Sequence, residues 1–149
     1  MAANSNAGQT FEISTTTSII DIVDAAAYGA LTYVLVGSVG KIGSRGIDTN
    51  MLTYTTLDEA VAQKAKGVTN AGDPEIECAR VVADAGQIAM RAAGAIAVRV
   101  PYMFRITDAD GSIFFNRGLV SGPMRPGGGV EDFVLEVYKL ALVQEEIEV

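Results

Sequence analysis

Several groups of residues in this chain have the types and spacing to do chemistry, and each asks for something that the sequence withholds. GSVGKIG, Gly37 to Gly43, suggests a phosphate loop, in which glycines let backbone amides surround a phosphate while a lysine adds charge. The interval from Gly37 to Gly40 is too short for that motif, Ile42 stands where a hydroxyl would hold magnesium, and no helical pattern follows, so a flexible loop is expected. Asp108 and Asp110 carry the oxygens of calcium ligands. A calcium loop needs further oxygens and a closing bidentate acid, whereas Ile113, Phe114 and Phe115 follow, and a hairpin turn accounts for both aspartates. Cys78 lies in an alternating apolar run with no histidine to activate it, which reads as a small apolar side chain. Glu131, Asp132 and Glu136, with Glu145, Glu146 and Glu148, offer paired carboxylates for acid–base work. Without a pocket they, like Lys139, read as a solvated face. Arg99, Arg105, Arg117 and Arg125 fall around one hairpin, but without aromatic interleaving on one face they make a poor nucleic-acid patch. Ion pairs to a neighbouring acidic subunit fit them better.

Composition narrows the choice further. Histidine is absent and Cys78 is the only cysteine, which removes the commonest general base, the Ser-His and Cys-His pairs, nearly every zinc site and any intrachain disulfide. The expectation is a non-enzyme with no catalytic residue, cofactor or metal. Net charge is −7, from 11 Lys and Arg against 18 Asp and Glu, which disfavours a surface that grips phosphates and suits one that must not. The N-terminus lacks the basic and apolar regions of a secretory signal, and the apolar run Ala25 to Val36 is too short to span a bilayer. A soluble protein without membrane insertion, assembled in a cytoplasm, is expected.

The elements that must position these residues are mostly strands. At 149 residues the chain is long enough to fold as one domain that buries roughly 70% of its unfolded surface. Residues 1–10 are small and polar and read as a mobile arm, with one β domain over 11–149. FEISTTTSIIDIV and LTYVLVG (Leu31 to Gly37) read as strands, with a short helical turn at Ala25 to Ala27 between them. Ser38 to Asn50 reads as one glycine-rich loop, followed by a strand over Met51 to Leu57. Residues 58–65 fit either a strand or a helix, and Gly67 to Asp73 is turn-rich. Glu75 to Val82 alternates as a strand. Asp84 then stands as an N-cap with Gln87 three positions on, ahead of Ile88, Ala89, Ala92 and Ala93 on a helical period and Gly94 as a C-cap. Two strands flank the turn Asp108 to Gly111, Gly122 to Gly129 reads as irregular, and Val130 to Val143 reads as a long final strand.

The order of a Gly-Asp before EIECARVV, then DAGQIAMRAAGA, YMFRITDADGSIFFNRGLVSGPM, a glycine break and VEDFVLEVYKLALV resembles the tail tube (major tail) proteins of long-tailed bacteriophages. Its most specific segment is Phe104 to Gly122. The match covers Gly72 to Val143 well and the remainder by a compatible order of strands. The resemblance implies a mainly β, sandwich- or barrel-like fold with one flanking helix and a long inter-strand loop. Six copies would pair strands into a ring, and rings would stack into a hollow tube that conducts double-stranded DNA without holding it. Expected partners are other copies, a tape measure protein, a tail terminator and baseplate or tail-tip proteins, in a virion assembled in a host cytoplasm. The fold is shared with inner tubes of contractile injection systems and with terminators and connectors, and a small ligand-binding β-barrel is the alternative of a different class.

Within this picture Lys41, Ile42, Arg45, Ile47 and Asp48 of the Ser38 to Asn50 segment are expected to make ring-to-ring contacts. Deleting Lys41 to Ile47 should then leave a folded subunit that cannot elongate. Glu77, Asp132 and Glu136 are the candidates for an acidic lumen wall.

Overall fold

The computed structural model describes residues 3, 5–22, 24–58 and 60–149. Met1, Ala2 and Asn4 of the expected arm lie outside the described residues, as do Val23 and Glu59. The elements are β1 (Thr10–Thr17), α1 (Ala25–Gly29), β2 (Tyr33–Leu35), β3 (Val39–Ile42), β4 (Asp48–Tyr54), β5 (Gln63–Asn70), β6 (Glu75–Ala79), α2 (Ala85–Ala93), β7 (Tyr102–Thr107), β8 (Ile113–Met124), β9 (Leu135–Leu142) and β10 (Ile147–Glu148). The chain is mainly β, as its alternating runs imply.

The main sheet has the order β2-β1-β7-β8-β9-β6-β3, with β10 paired to β8, while β4 and β5 form a separate two-stranded sheet. All the pairings are antiparallel. Two features turn this sheet into a barrel-like sandwich. Along one edge and then the other β8 changes its long partner, its first half pairing with β7 (and on the far side with the short β10) and its second with β9, and Gly118 is the residue common to the β7 and β9 pairings. A Cβ at Gly118 would stand 2.6 Å from the Ala141 carbonyl oxygen, so glycine lets the backbones meet at this corner. The edge strands β2 and β3 are joined by residues 36–38 alone. There the Val36 amide donates to the Phe11 carbonyl of β1, and the Ser38 carbonyl accepts from the Ala79 amide of β6, both at 3.0 Å. One ribbon thus crosses from one end of the sheet to the other.

Strand alternation sorts the side chains onto two faces. Phe11 and Ile13 of β1, Phe104 and Ile106 of β7, Ile76 of β6 and Tyr138 and Leu140 of β9 point inward, where α2 fills the space with Met90 and Ala93. Phe11 and Phe104 stack at 5.5 Å. On the opposite face Met103 and Phe115 receive α1, whose Tyr28 stacks on Phe115 at 5.1 Å. Each large apolar side chain buried in this way contributes about 1.5–3 kcal/mol.

Asp84 is the N-cap of α2, accepting from the Gln87 amide at 3.0 Å, and its carboxylate also accepts from the Gly37 amide at 3.0 Å. The reciprocal half of a capping box does not form. Gln87 is fully buried and reaches outward from the helix instead: Nε2 donates to the carbonyls of Gly37 and Ala79, and Oε1 accepts from the Val81 amide. A buried amide must satisfy all its groups, and the ribbon corner and the end of β6 supply partners that the cap cannot. Asp84→Ala should destabilise the fold by about 2 kcal/mol, roughly one for the cap and one for the orphaned Gly37 amide. Urea unfolding measures this, and a loss below about 0.5 kcal/mol would contradict the double role.

Several boundaries depart from the sequence reading. Ser38 to Asn50 is not one loop: β3 lies within it, paired to β6, and β4 begins at Asp48. Gly67 to Asn70 continue β5 rather than turning. β8 runs on to Met124 through a register shift where irregular chain was expected, and β9 starts only at Leu135. The last part of the expected arm is fixed: Gln9 Nε2 donates to Asp108 at 2.7 Å, and Thr10 already pairs with Thr107.

Candidate functional site

The residues expected to make ring contacts divide in two. Lys41 and Ile42 belong to β3, opposite Glu77 and Ile76, and Ile42 packs against the core. Arg45 is largely covered, bonded to Glu146 and stacked 5.0 Å over Phe114, so it ties the C-terminal segment to the body. Only Ile47 and Asp48 are exposed with no such duty in the core. The expectation that Lys41 to Ile47 can be deleted without loss of folding is therefore corrected: the segment supplies a strand of the barrel and an internal ion pair.

The proposed lumen acids also part company. Glu136 is not a surface acid. In LEVYKL it shares the inward face of β9 with Tyr138, Leu140 and Leu142, and it is wholly buried. Arg91 of α2 donates to it at 3.2 Å and the Tyr138 hydroxyl at 3.1 Å, and Arg80 at 3.3 Å and Arg125 at 3.8 Å approach from outside. A buried carboxylate requires such partners, and this is the reason it cannot line a channel. Asp132 is exposed and accepts from the Gly129 amide, closing a turn. Glu77 alone sits on a sheet face, half-buried on the outer side of β6.

The arginines expected to reach a neighbouring subunit are mostly engaged within the chain. Arg105 pairs with Glu12 and lies 4.7 Å over the Tyr33 ring, Arg117 is nearly buried against Asp21, and Arg125 faces Glu136. Burial pushes the Tyr28 hydroxyl up to about 12, despite the nearby Arg117.

The residues that invited chemistry take structural positions. Asp108 and Gly111 close the β7–β8 turn, with Gly111 at φ +94° and Asp110 accepting from the Ser112 amide. Gly37 and Gly43 meet Asp84 and the Glu75 backbone at distances that leave no room for a Cβ, so both ends of the GSVGKIG segment pack closely, while Gly40 between them stands in open space. Cys78 is buried, and burial, aided by the Glu136 charge, pushes its thiol up to about 11. A thiol reagent at pH 8 should leave Cys78 unmodified in the native chain and react fully once the chain is unfolded in urea. Rapid native labelling would contradict its placement. Among the described residues no group of three His, Cys, Asp or Glu side chains could hold a metal ion.

Two larger surfaces remain. The outer face of β3, β6, β9 and β8 forms an open trough of about 1200 Å³, walled by residues 94–99. Its charged side chains are Lys41, Arg99 and Lys139 against Asp73, Glu75 and Glu77, which balance in sign. The second surface is the β4–β5 hairpin. It stands apart from the main sheet, and Met51, Leu52, Tyr54, Leu57, Val61 and Val68 are all exposed on it. Leu52 and Tyr54 lie opposite Ala65 and Gln63 on one face, while Met51 and Thr53 lie opposite Lys66 and Lys64 on the other. A two-stranded hairpin with both faces in water is marginal by itself, so this element calls for a cover.

β5 was not legible because its first half, QKAK, is written in helix-forming residues and its second, GVTN, reads as turn-rich, and pairing with β4 overrides both preferences. The alternation of Lys64 and Lys66 with Ala65 and Gly67 was the available signal.

The fold is similar to that of a chain in the cryo-EM structure of the anti-feeding prophage baseplate, 6-fold symmetrised. The TM-score is 0.60 at 8% identity, covering 100% of this chain and 96% of that one. At that identity the likeness is one of fold. No protein family model and no curated protein matches the sequence.

Proposed function

We propose that this chain is a structural subunit of a phage tail or a related injection device, and specifically the subunit that stacks in rings to build its tube. The carrying observation is the end-to-end likeness of fold to a chain of the anti-feeding prophage baseplate. That neighbour belongs to a particle drawn with 6-fold symmetry, which supports six copies per ring here as well. The projecting β4–β5 hairpin fits the reading, because an apolar arm without a core is stable only against a neighbour. Pairing the short edges β2 and β3 with neighbouring copies would cover the remaining open backbone groups.

Partners follow from the position in such a particle: further copies, a tape measure protein, a terminator, and baseplate or tail-tip proteins. DNA would pass along the channel, and the net charge of −7 keeps it from being held, since each Lys–phosphate contact would add a counterion-release gain. The acidic lumen rests on that overall charge and not on Glu136, and Glu77 would contribute to it only on a face whose charges otherwise balance. The baseplate likeness equally favours the inner tube of a contractile injection system, in which the same rings would carry a different cargo.

Sedimentation velocity over a rising concentration series tests the reading. The full chain should form growing species, while a chain in which an Asn-Gly turn replaces residues 48–70 should remain monomeric with an unchanged thermal midpoint. A full chain that stays monomeric throughout, or a shortened one that still assembles, would count against it.

A further inference from the structure

The charges around Glu136 do not balance. Three guanidinium groups converge on one carboxylate, and their exposure rises outward, from 20% at Arg91 to 38% at Arg80 and 54% at Arg125. Arg80 and Arg125 each approach Glu136 from the solvent side, so donors of both remain turned outward on a chain that is otherwise acidic. Apolar side chains adjoin them. The Arg80 amide donates to the Val134 carbonyl at 2.8 Å, which brings Phe133 and Val134 beside Val81 and Val82, all four exposed. Arginine and an aromatic within an apolar patch is the composition of an interface centre rather than of a solvated surface.

The occupant should be apolar and acidic, and one segment of the same chain has that character. The tip of the β4–β5 hairpin presents Leu57, fully exposed, next to exposed Asp58, with Val61 exposed on the other side of the turn. We infer that the hairpin tip of one copy docks on the Arg80–Arg125–Phe133 patch of the next, with Asp58 facing the guanidinium groups and Leu57 and Val61 lying on Phe133 and Val134. The interface is heterologous: tip and patch are different surfaces, so every copy offers one of each and the contact propagates around a ring or along a filament. The inference rests on the assembly reading above and specifies its contact.

The test uses the full chain carrying Asp58→Cys and Phe133→Cys, oxidised at a concentration series and split between non-reducing electrophoresis and negative-stain microscopy. Buried Cys78 does not compete. The expected result is a ladder of disulfide-linked oligomers beyond the dimer, which neither single variant gives. Asp58→Arg alone should raise the concentration needed for assembly by about tenfold, corresponding to about 1.4 kcal/mol. Rings or tubes in the microscope with no species above dimer on the gel would overturn the docking inference and leave the tube reading standing. A ladder without rings or tubes would uphold the docking and defeat the tube. Absence of both would defeat both.

Discussion

Glu136→Ala should lower the stability of the subunit by about 3 kcal/mol. The carboxylate is wholly buried, and its removal leaves the Tyr138 hydroxyl without its acceptor and Arg91, mostly covered, with only Gln87 and the Val81 carbonyl. An orphaned buried hydroxyl costs about 1–3 kcal/mol, and an uncompensated, largely buried charge adds to that. Arg80 and Arg125 can turn into solvent, so they contribute little to the loss. In a domain of this size the thermal midpoint should fall by roughly 6–12 °C. Arg125→Ala should cost less than about 1 kcal/mol. The two variants compared by thermal unfolding separate the roles, and a Glu136→Ala protein within 1 kcal/mol of the parent, on the order of a surface change, would show that the cluster holds nothing in place.

The second large effect lies at Gly86→Ala, in the first turn of α2. A Cβ there would meet the Leu35 carbonyl oxygen at 2.0 Å and the Val36 Cα at 2.4 Å. Both are backbone atoms of the ribbon that closes the barrel, so no side chain can rotate away and the helix or the ribbon must move. Overpacking of this kind costs about 3 kcal/mol or more, against the small gain alanine normally brings to a helix. The expected sign is thus opposite to that of a solvent-facing glycine. Urea unfolding of Gly86→Ala beside Gly40→Ala, where nothing stands within 4 Å, measures it. Equal midpoints for the two variants would contradict the packing of α2 onto the ribbon.

These two sites also show what was legible in the sequence. The cap at Asp84, the helix, the Asp108–Gly111 turn and the strands around it are local features, written in residues a few positions apart, and they stand where the pattern put them. Glu136 was readable in part. It occupies the inward phase of an alternating strand with Tyr138 and Leu140, and a buried acid demands a cation, but the choice of Arg91 depends on how α2 crosses the sheet. The Ser38 to Asn50 segment failed for a different reason. Its glycines looked like the freedom of a loop, whereas Gly43 is required by close contact with the Glu75 backbone, and only Gly40 and Gly46 stand in open space. Close approach and free rotation leave the same letter in the sequence. Arg45 likewise reads as a loop cation until Glu146, distant in sequence, arrives beside it.

Negative-stain electron microscopy of the purified full chain at rising concentration tests the central claim most directly. Hollow filaments of uniform width with a stacked-ring repeat are the expected result for a tube subunit. Isolated particles that remain single subunits at every concentration would contradict it.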